Sequence, residues 1–279
     1  MVHNIKSVLI GMTEEGVDEP SSALAYGLSM AQQSGAHATI QAASLKVVMG
    51  NTFLSNMASN LVASHNRRLR ELAAHVAERA RGEAAAAGVA ASVETPQLAY
   101  GQLVDLFIAQ ARVHDVAVLD AEVATVNADR GLIEALLFES GRPVVVVPPG
   151  VDVFKHARVM IAWDASARAT RAVNDAMGIL QSAASVELLA IGSEKELAHE
   201  VPGAELAPHL ARHGVNVDVK NIVVGHDGVA ETLREQASLI GADLIVMGAF
   251  HHSRMREWVL GGVTQSLLED CKVPLFMSY

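Results

Sequence analysis

Residues 158–167 read RVMIAWDASA: an apolar run, a carboxylate at Asp164, then small residues of helical character. That is the form of a buried strand ending in a polar turn that leads into a helix. The same form stands in the first half as SVLIGMTEEG, residues 7–16. HDVAVLDA at 114–121 likewise corresponds to ADLIVMGA at 242–249, and GRPVVVVP at 141–148 to CKVPLFMS at 271–278. The matching pieces keep their order, so the chain reads as two copies of one plan. Between them PPGVDVFKH, residues 148–156, places two prolines and a glycine where no regular element continues. The expected division is a first domain at 1–150 and a second at 151–279.

Within each copy, short Val/Ile/Leu runs alternate with longer segments whose apolar residues recur every three or four positions. This pattern predicts strand–helix–strand units around a parallel sheet. Near-continuous apolar strands such as DLIVM and PVVVV predict sheets covered on both faces. The strands are expected near 7–12, 37–45, 90–95, 115–119 and 143–147, then 158–162, 185–191, 217–224, 243–247 and 273–277. The longest helix is expected from about 55 to 88, where RLRELAAHVAERARGEAAAAG is rich in strong helix formers and ends at Gly88.

The 279 residues are 51% hydrophobic with only 4% aromatic, which predicts a soluble protein with a core of Val, Ile, Leu and Ala. No apolar run approaches the ~20 residues of a membrane span. The start, MVHNIKSVLIGM, has one lysine and a short apolar stretch before Thr13, and the single Cys271 argues against a disulfide framework. A cytoplasmic protein with no membrane partner is the expectation. With 31 acidic and 21 basic side chains the net charge is -10, which disfavours nucleic acid as a partner. The nearest basic cluster, Arg67, Arg68 and Arg70, sits at helical spacing beside acids and reads as a solvated helix face.

An open parallel sheet takes ligands beyond the carboxyl ends of its strands, where connections diverge to opposite faces. In the second half one strand ends at Ala162-Trp163-Asp164, presenting a carboxylate able to accept from ribose hydroxyls or hold a metal's water. Another ends at Met247-Gly248, and Gly261-Gly262-Val263-Thr264 opens the last helix. Glycine allows close backbone approach to a phosphate, the helix start supplies unpaired N–H donors, and Thr264 adds a hydroxyl. Together they form a candidate mononucleotide pocket.

At these residues the chain resembles the universal stress protein family in its tandem form. The nucleotide-binding members carry a loop of Gly, two residues, Gly, nine residues, Gly, then Ser or Thr, followed by Val-Thr. Gly248, His251, Gly261 and Gly262 fall on those four places, with Val263 and Thr264 behind them, so the spacing is kept while two residue types are changed. Asp164 stands where the family places the acidic residue after its first strand, and Ala162 and Met247 match backbone-lined positions nearby. The resemblance implies an α/β fold of two tandem domains of the adenine nucleotide α-hydrolase-like class, each an open five-stranded parallel sheet with helices on both faces. It also implies intramolecular pairing of the domains through their last strands, 143–147 and 273–277, and ATP or AMP, with Mg²⁺ possible, as the ligand of the binding subgroup.

In the first half, Asp120 falls on the place of Gly248 and Thr13 on that of Asp164, and a carboxylate facing phosphate opposes binding. Asp120 is read as capping or ordering its own loop, and this half as a degenerate partner. His209 and His213 stand four apart, but no accompanying acid pattern like HExxH is present, so they read as a surface pair and no metal site is expected. Either His251 or His252 is able to contact phosphate; Trp163 and Trp258 read as space-filling. No G-x-S-x-G, G-x-x-x-x-G-K-[ST] or G-x-G-x-x-G occurs, which lowers dehydrogenases, P-loop ATPases and hydrolases as readings. Two function classes remain. One is a stress-response sensor or regulator, not an enzyme, binding an adenine nucleotide in its second domain; the other is a nucleotide-free interaction protein acting through its surface or a homodimer. Slow ATP hydrolysis is a weaker third, because nothing specifies a base for the attacking water.

Overall fold

The strands follow the Val/Ile/Leu runs because alternate side chains of each run enter cores on opposite faces of the sheet. In the computed structural model, which describes residues 2, 4–13, 21–48, 56–121, 128–193, 202–249, 262–270 and 272–279, β1 (Ser7–Thr13) shows this directly. Its Val8, Ile10 and Met12 enter one buried cluster and Leu9 the other.

The first half continues with α1 (Ser22–Ser34), β2 (His37–Leu45), α2 (Asn56–Ala86), β3 (Ala91–Glu94), β4 (Gln97–Leu98), α3 (Tyr100–Arg112), β5 (Val116–Asp120), α4 (Ala128–Glu139) and β6 (Val144–Val147). In the second half come β7 (Arg158–Ala162), α5 (Ala167–Asp175), α6 (Met177–Ser182), β8 (Ser185–Gly192), α7 (Leu206–Arg212), β9 (Val217–Val223), α8 (Gly228–Ile240), β10 (Leu244–Gly248), α9 (Gly262–Glu269) and β11 (Leu275–Ser278).

The strand order is β3-β2-β1-β5-β6-β11-β10-β7-β8-β9, with the two-residue β4 paired to β2. The expected α/β class with helices on both faces is what the chain adopts. Each half is a five-strand parallel array of the same internal order, and the arrays join edge to edge. At the join β6 and β11 run antiparallel, with Val145 opposite Phe276, so the protein has one continuous sheet rather than two separate ones. One face buries residues of α1, α2, α5, α6 and α7, the other residues of α3, α4, α8 and α9; both clusters run across the seam.

The repeat extends to single hydrogen bonds. Asp115, just before β5, accepts from the Lys6 and Ser7 N–H groups at 2.7 and 2.9 Å. Asp243, in the same place before β10, accepts from Arg158 N–H at 2.8 Å. Each carboxylate thereby ties the start of its half's first strand to the start of the fourth.

The connector after β6 is not a free linker. Gly150 N–H donates to Ser22 Oγ at 2.9 Å, Phe154 N–H to Ser29 Oγ at 3.2 Å, and Gln33 Nε2 donates back to Phe154 O at 2.7 Å. All three partners lie on α1, and the Phe154 ring is buried with 1% exposure.

Candidate functional site

In the second half, β7 is flanked by β10 on one side and β8 on the other. The connections leaving the carboxyl ends of β7 and β10 pass to opposite faces, α5 on one and α9 on the other, which opens a crevice between them. A cavity of about 320 Å³ lies there, within the ~300–1,000 Å³ usual for small-molecule sites. Ala162, Asp164, Met247, Gly248, Gly262, Val263 and Thr264 all line it. His251 and Gly261, also singled out by the sequence, lie outside the described residues, as do His252, Trp258 and Cys271.

The lining of the cavity combines two chemistries. Leu189, Ile191, Val229, Leu233 and Met247 form an apolar wall suited to a flat ring. Asp164, Gly262 and Thr264 bring a carboxylate, a helix start and a hydroxyl. Among the described residues a Cβ added at Gly262 would meet no atom within 4 Å, whereas Thr264 is only 3% exposed. The apolar wall was missed in the sequence because its members are ordinary core residues there. Leu189 and Ile191 are distinguished only by sitting at the carboxyl end of the strand beside β7.

Asp164 stands exposed at the cavity mouth, and its Oδ1 accepts from Ser166 N–H at 3.0 Å. Ser166 in turn caps α5, its hydroxyl accepting from Ala169 N–H at 3.1 Å. The turn between them holds Ala165 at φ 58°, a left-handed conformation costing an L-residue about 1 kcal/mol. Strain of this kind is concentrated where surrounding contacts fix a turn for another purpose; here the turn aims Asp164 at the mouth. Trp163, read as space-filling, also lines this cavity; it is 9% exposed, and its indole N–H donates to Glu205 at 3.2 Å.

Gly248 has a basis in the packing of the fold itself. A Cβ there would come within 2.5 Å of Ala169 N and 2.8 Å of Arg168 C, so the first turn of α5 already takes the space a side chain needs. Backbone cannot yield as a flexible side chain does, and Gly248→Ala is expected to destabilise the protein by about 2 kcal/mol, measured as a lower urea midpoint at unchanged slope.

The equivalent place in the first half is built oppositely. Asp120, at the end of β5, accepts from Ser21 Oγ and from Ala23 N–H, both at 2.7 Å. It therefore caps the start of α1; the loop that follows it, 122–127, lies outside the described residues. Burial raises the Asp120 carboxyl above the ordinary range, against the opposing pull of hydrogen bonds from Ser21, Ala23 and Ser22. Where the second half has Gly248, the first half has a carboxylate bonded to the start of α1.

The sequence profile of the universal stress protein family matches residues 156–278. Among solved structures, the chain is similar to a universal stress protein from Archaeoglobus fulgidus DSM 4304, at 17% identity and a TM-score of 0.68, over 99% of this chain and 98% of that one. It is also similar to a functionally unknown protein from Pseudomonas aeruginosa PAO1, at 12% identity and a TM-score of 0.56, over 99% of this chain and 92% of that one. At these identities the likeness is one of fold, and it spans both halves. No curated protein matches the chain.

Proposed function

With residues 156–278 forming a universal stress protein domain, we propose that the crevice between β7 and β10 binds an adenine nucleotide, ATP or AMP. The protein then acts as a cytoplasmic sensor or regulator in a stress response rather than as a catalyst. The division into domains 1–150 and 151–279 belongs to the same proposal: the second carries the ligand, and the first supports it across the β6–β11 seam. No described helix is long and apolar enough to cross a membrane.

The observation that carries this reading is a cavity whose lining joins Leu189, Ile191 and Met247 with Asp164, Gly262 and Thr264. A base lies against Leu189, Ile191 and Met247. Asp164 faces the ribose or an associated Mg²⁺, and the start of α9 takes phosphate through its N–H groups.

Thermal unfolding with and without ATP–Mg²⁺ tests it. Nucleotide at a hundred times its Kd is expected to add roughly 2.7 kcal/mol, a rise in Tm of about 5 °C or more. Asp164→Ala or Thr264→Val removes the shift, and Asp120→Ala leaves its size unchanged. Gly262→Ser places a hydroxyl where there is room for it and tightens binding about fivefold, the worth of one hydrogen bond. An unchanged Tm at millimolar nucleotide would support the interaction-protein reading instead.

A further inference from the structure

A second candidate ligand set lies on α7, outside the nucleotide crevice. His209 and His213 are one helical turn apart, and their ring centroids are 4.7 Å apart with the planes tilted by 57°. The helix beneath them is fixed. Leu206 and Leu210 are buried at 8% and 0% exposure and anchor the helix; His209 beside them is half-buried and His213 is exposed. Helical hydrogen bonding runs through His213, whose N–H donates to Leu210 O at 3.0 Å, and Gln181 Nε2 donates to His213 O at 2.9 Å. His209 lies in the last turn of the helix and His213 is its C-cap, which brings the two imidazoles close enough to share one cation.

We propose that His209 and His213 form a bidentate site for a late first-row divalent cation, with Cu²⁺ bound most tightly. Neutral imidazole suits Cu²⁺, Ni²⁺ and Zn²⁺, and affinity for such a donor pair peaks at copper. The site lies at the C-terminal end of α7, where the partial negative charge of the helix favours a cation. Among the described residues no group of three or more His, Cys, Asp or Glu forms a candidate metal cluster. With water as its remaining ligands, such a pair suits the square-planar preference of Cu²⁺ better than the closed tetrahedral cage of a structural zinc. The site is tied to the nucleotide crevice by one contact: Glu205, one turn before His209, accepts the indole N–H of Trp163. The spacing reads as a surface pair; the ring separation adds that the two imidazoles lie within reach of one ion.

The test uses the full chain carrying Trp258→Phe, so that Trp163 supplies the tryptophan emission. Titration with CuCl₂ is expected to quench that emission saturably, because a paramagnetic ion on α7 lies close to the indole. Ni²⁺ quenches at higher concentration and Mg²⁺ not at all. His209→Ala and His213→Ala each move the Cu²⁺ midpoint at least tenfold upward, while far-UV circular dichroism and the Tm in EDTA stay unchanged, as befits surface side chains. Electron paramagnetic resonance of the one-equivalent complex shows two nitrogen ligands in the parent and one in either variant. Quenching that persists with both histidines replaced would place the metal on others of the twelve histidines and overturn the proposal. A parent spectrum with no nitrogen coupling, or no saturable quenching, would overturn it equally.

Discussion

Replacing Phe154 by alanine is expected to lower the unfolding free energy by about 3–5 kcal/mol, although the residue sits in the connector between the two halves. The ring is 1% exposed and meets Tyr26 edge-on at 5.5 Å and His156 in a stack at 4.8 Å. Tyr26 is itself fully buried, so a cavity opened beside it has no solvent-side group able to collapse inward. The three hydrogen bonds from the connector to α1 hold the backbone in place after truncation, which keeps the cavity open. Urea unfolding measures the loss. A change under about 1 kcal/mol would mean that the connector is a tether lying on the surface, and that the core does not extend through it.

That burial was not legible in PPGVDVFKH. A lone aromatic among proline, glycine and charged residues has no period, and burial is inferred from period. The central strands, by contrast, were readable within a residue or two, since β5, β6, β10 and most of β1 are apolar runs covered on both faces, whereas the outer β3 and β9 alternate with polar residues. The long helix expected over 55–88 is Asn56–Ala86, and Gly88 beyond it takes the left-handed conformation that ends helices. β4 was missed because two residues carry no alternation. The meeting of Ala162, Asp164, Met247 and Thr264 at one cavity follows from strand order, which a repeated pattern of strands fixes once the sheet is known to be doubly wound.

Gly248 and Asp120 mark the limit of that reading. Both end the fourth strand of their half, and both face the first turn of the helix that follows the first strand. At Gly248 the helix backbone approaches until no Cβ fits; at Asp120 a carboxylate bridges the gap and binds the helix start. The sequence shows a glycine and an aspartate. What each is for depends on Ala169 and Ala23, roughly eighty and a hundred positions away along the chain in these two cases, and no local pattern reports such a contact.

Asp120→Ala is expected to cost about 3 kcal/mol near pH 4 and less at pH 7. The substitution removes the acceptor for Ser21 Oγ and for Ala23 N–H, each bond worth on the order of 1–2 kcal/mol when the acceptor is a carboxyl. The pH dependence follows from the direction of its pKa, which burial raises from the ordinary 3.8. A carboxyl whose folded pKa exceeds its unfolded one contributes fully below the unfolded value, and part of that contribution is lost as pH rises through the folded value. The difference between parent and variant unfolding curves, taken at several pH values, isolates this one group because the other carboxyls are common to both. Asp120→Asn is neutral and keeps an acceptor for Ala23 N–H, so it is expected to retain most of the stability at pH 7. A cost of Asp120→Ala that grows toward neutral pH would show that attraction between the carboxylate and the start of α1 outweighs its burial. The first half would then hold its internal anion as firmly as the second half is proposed to hold a phosphate.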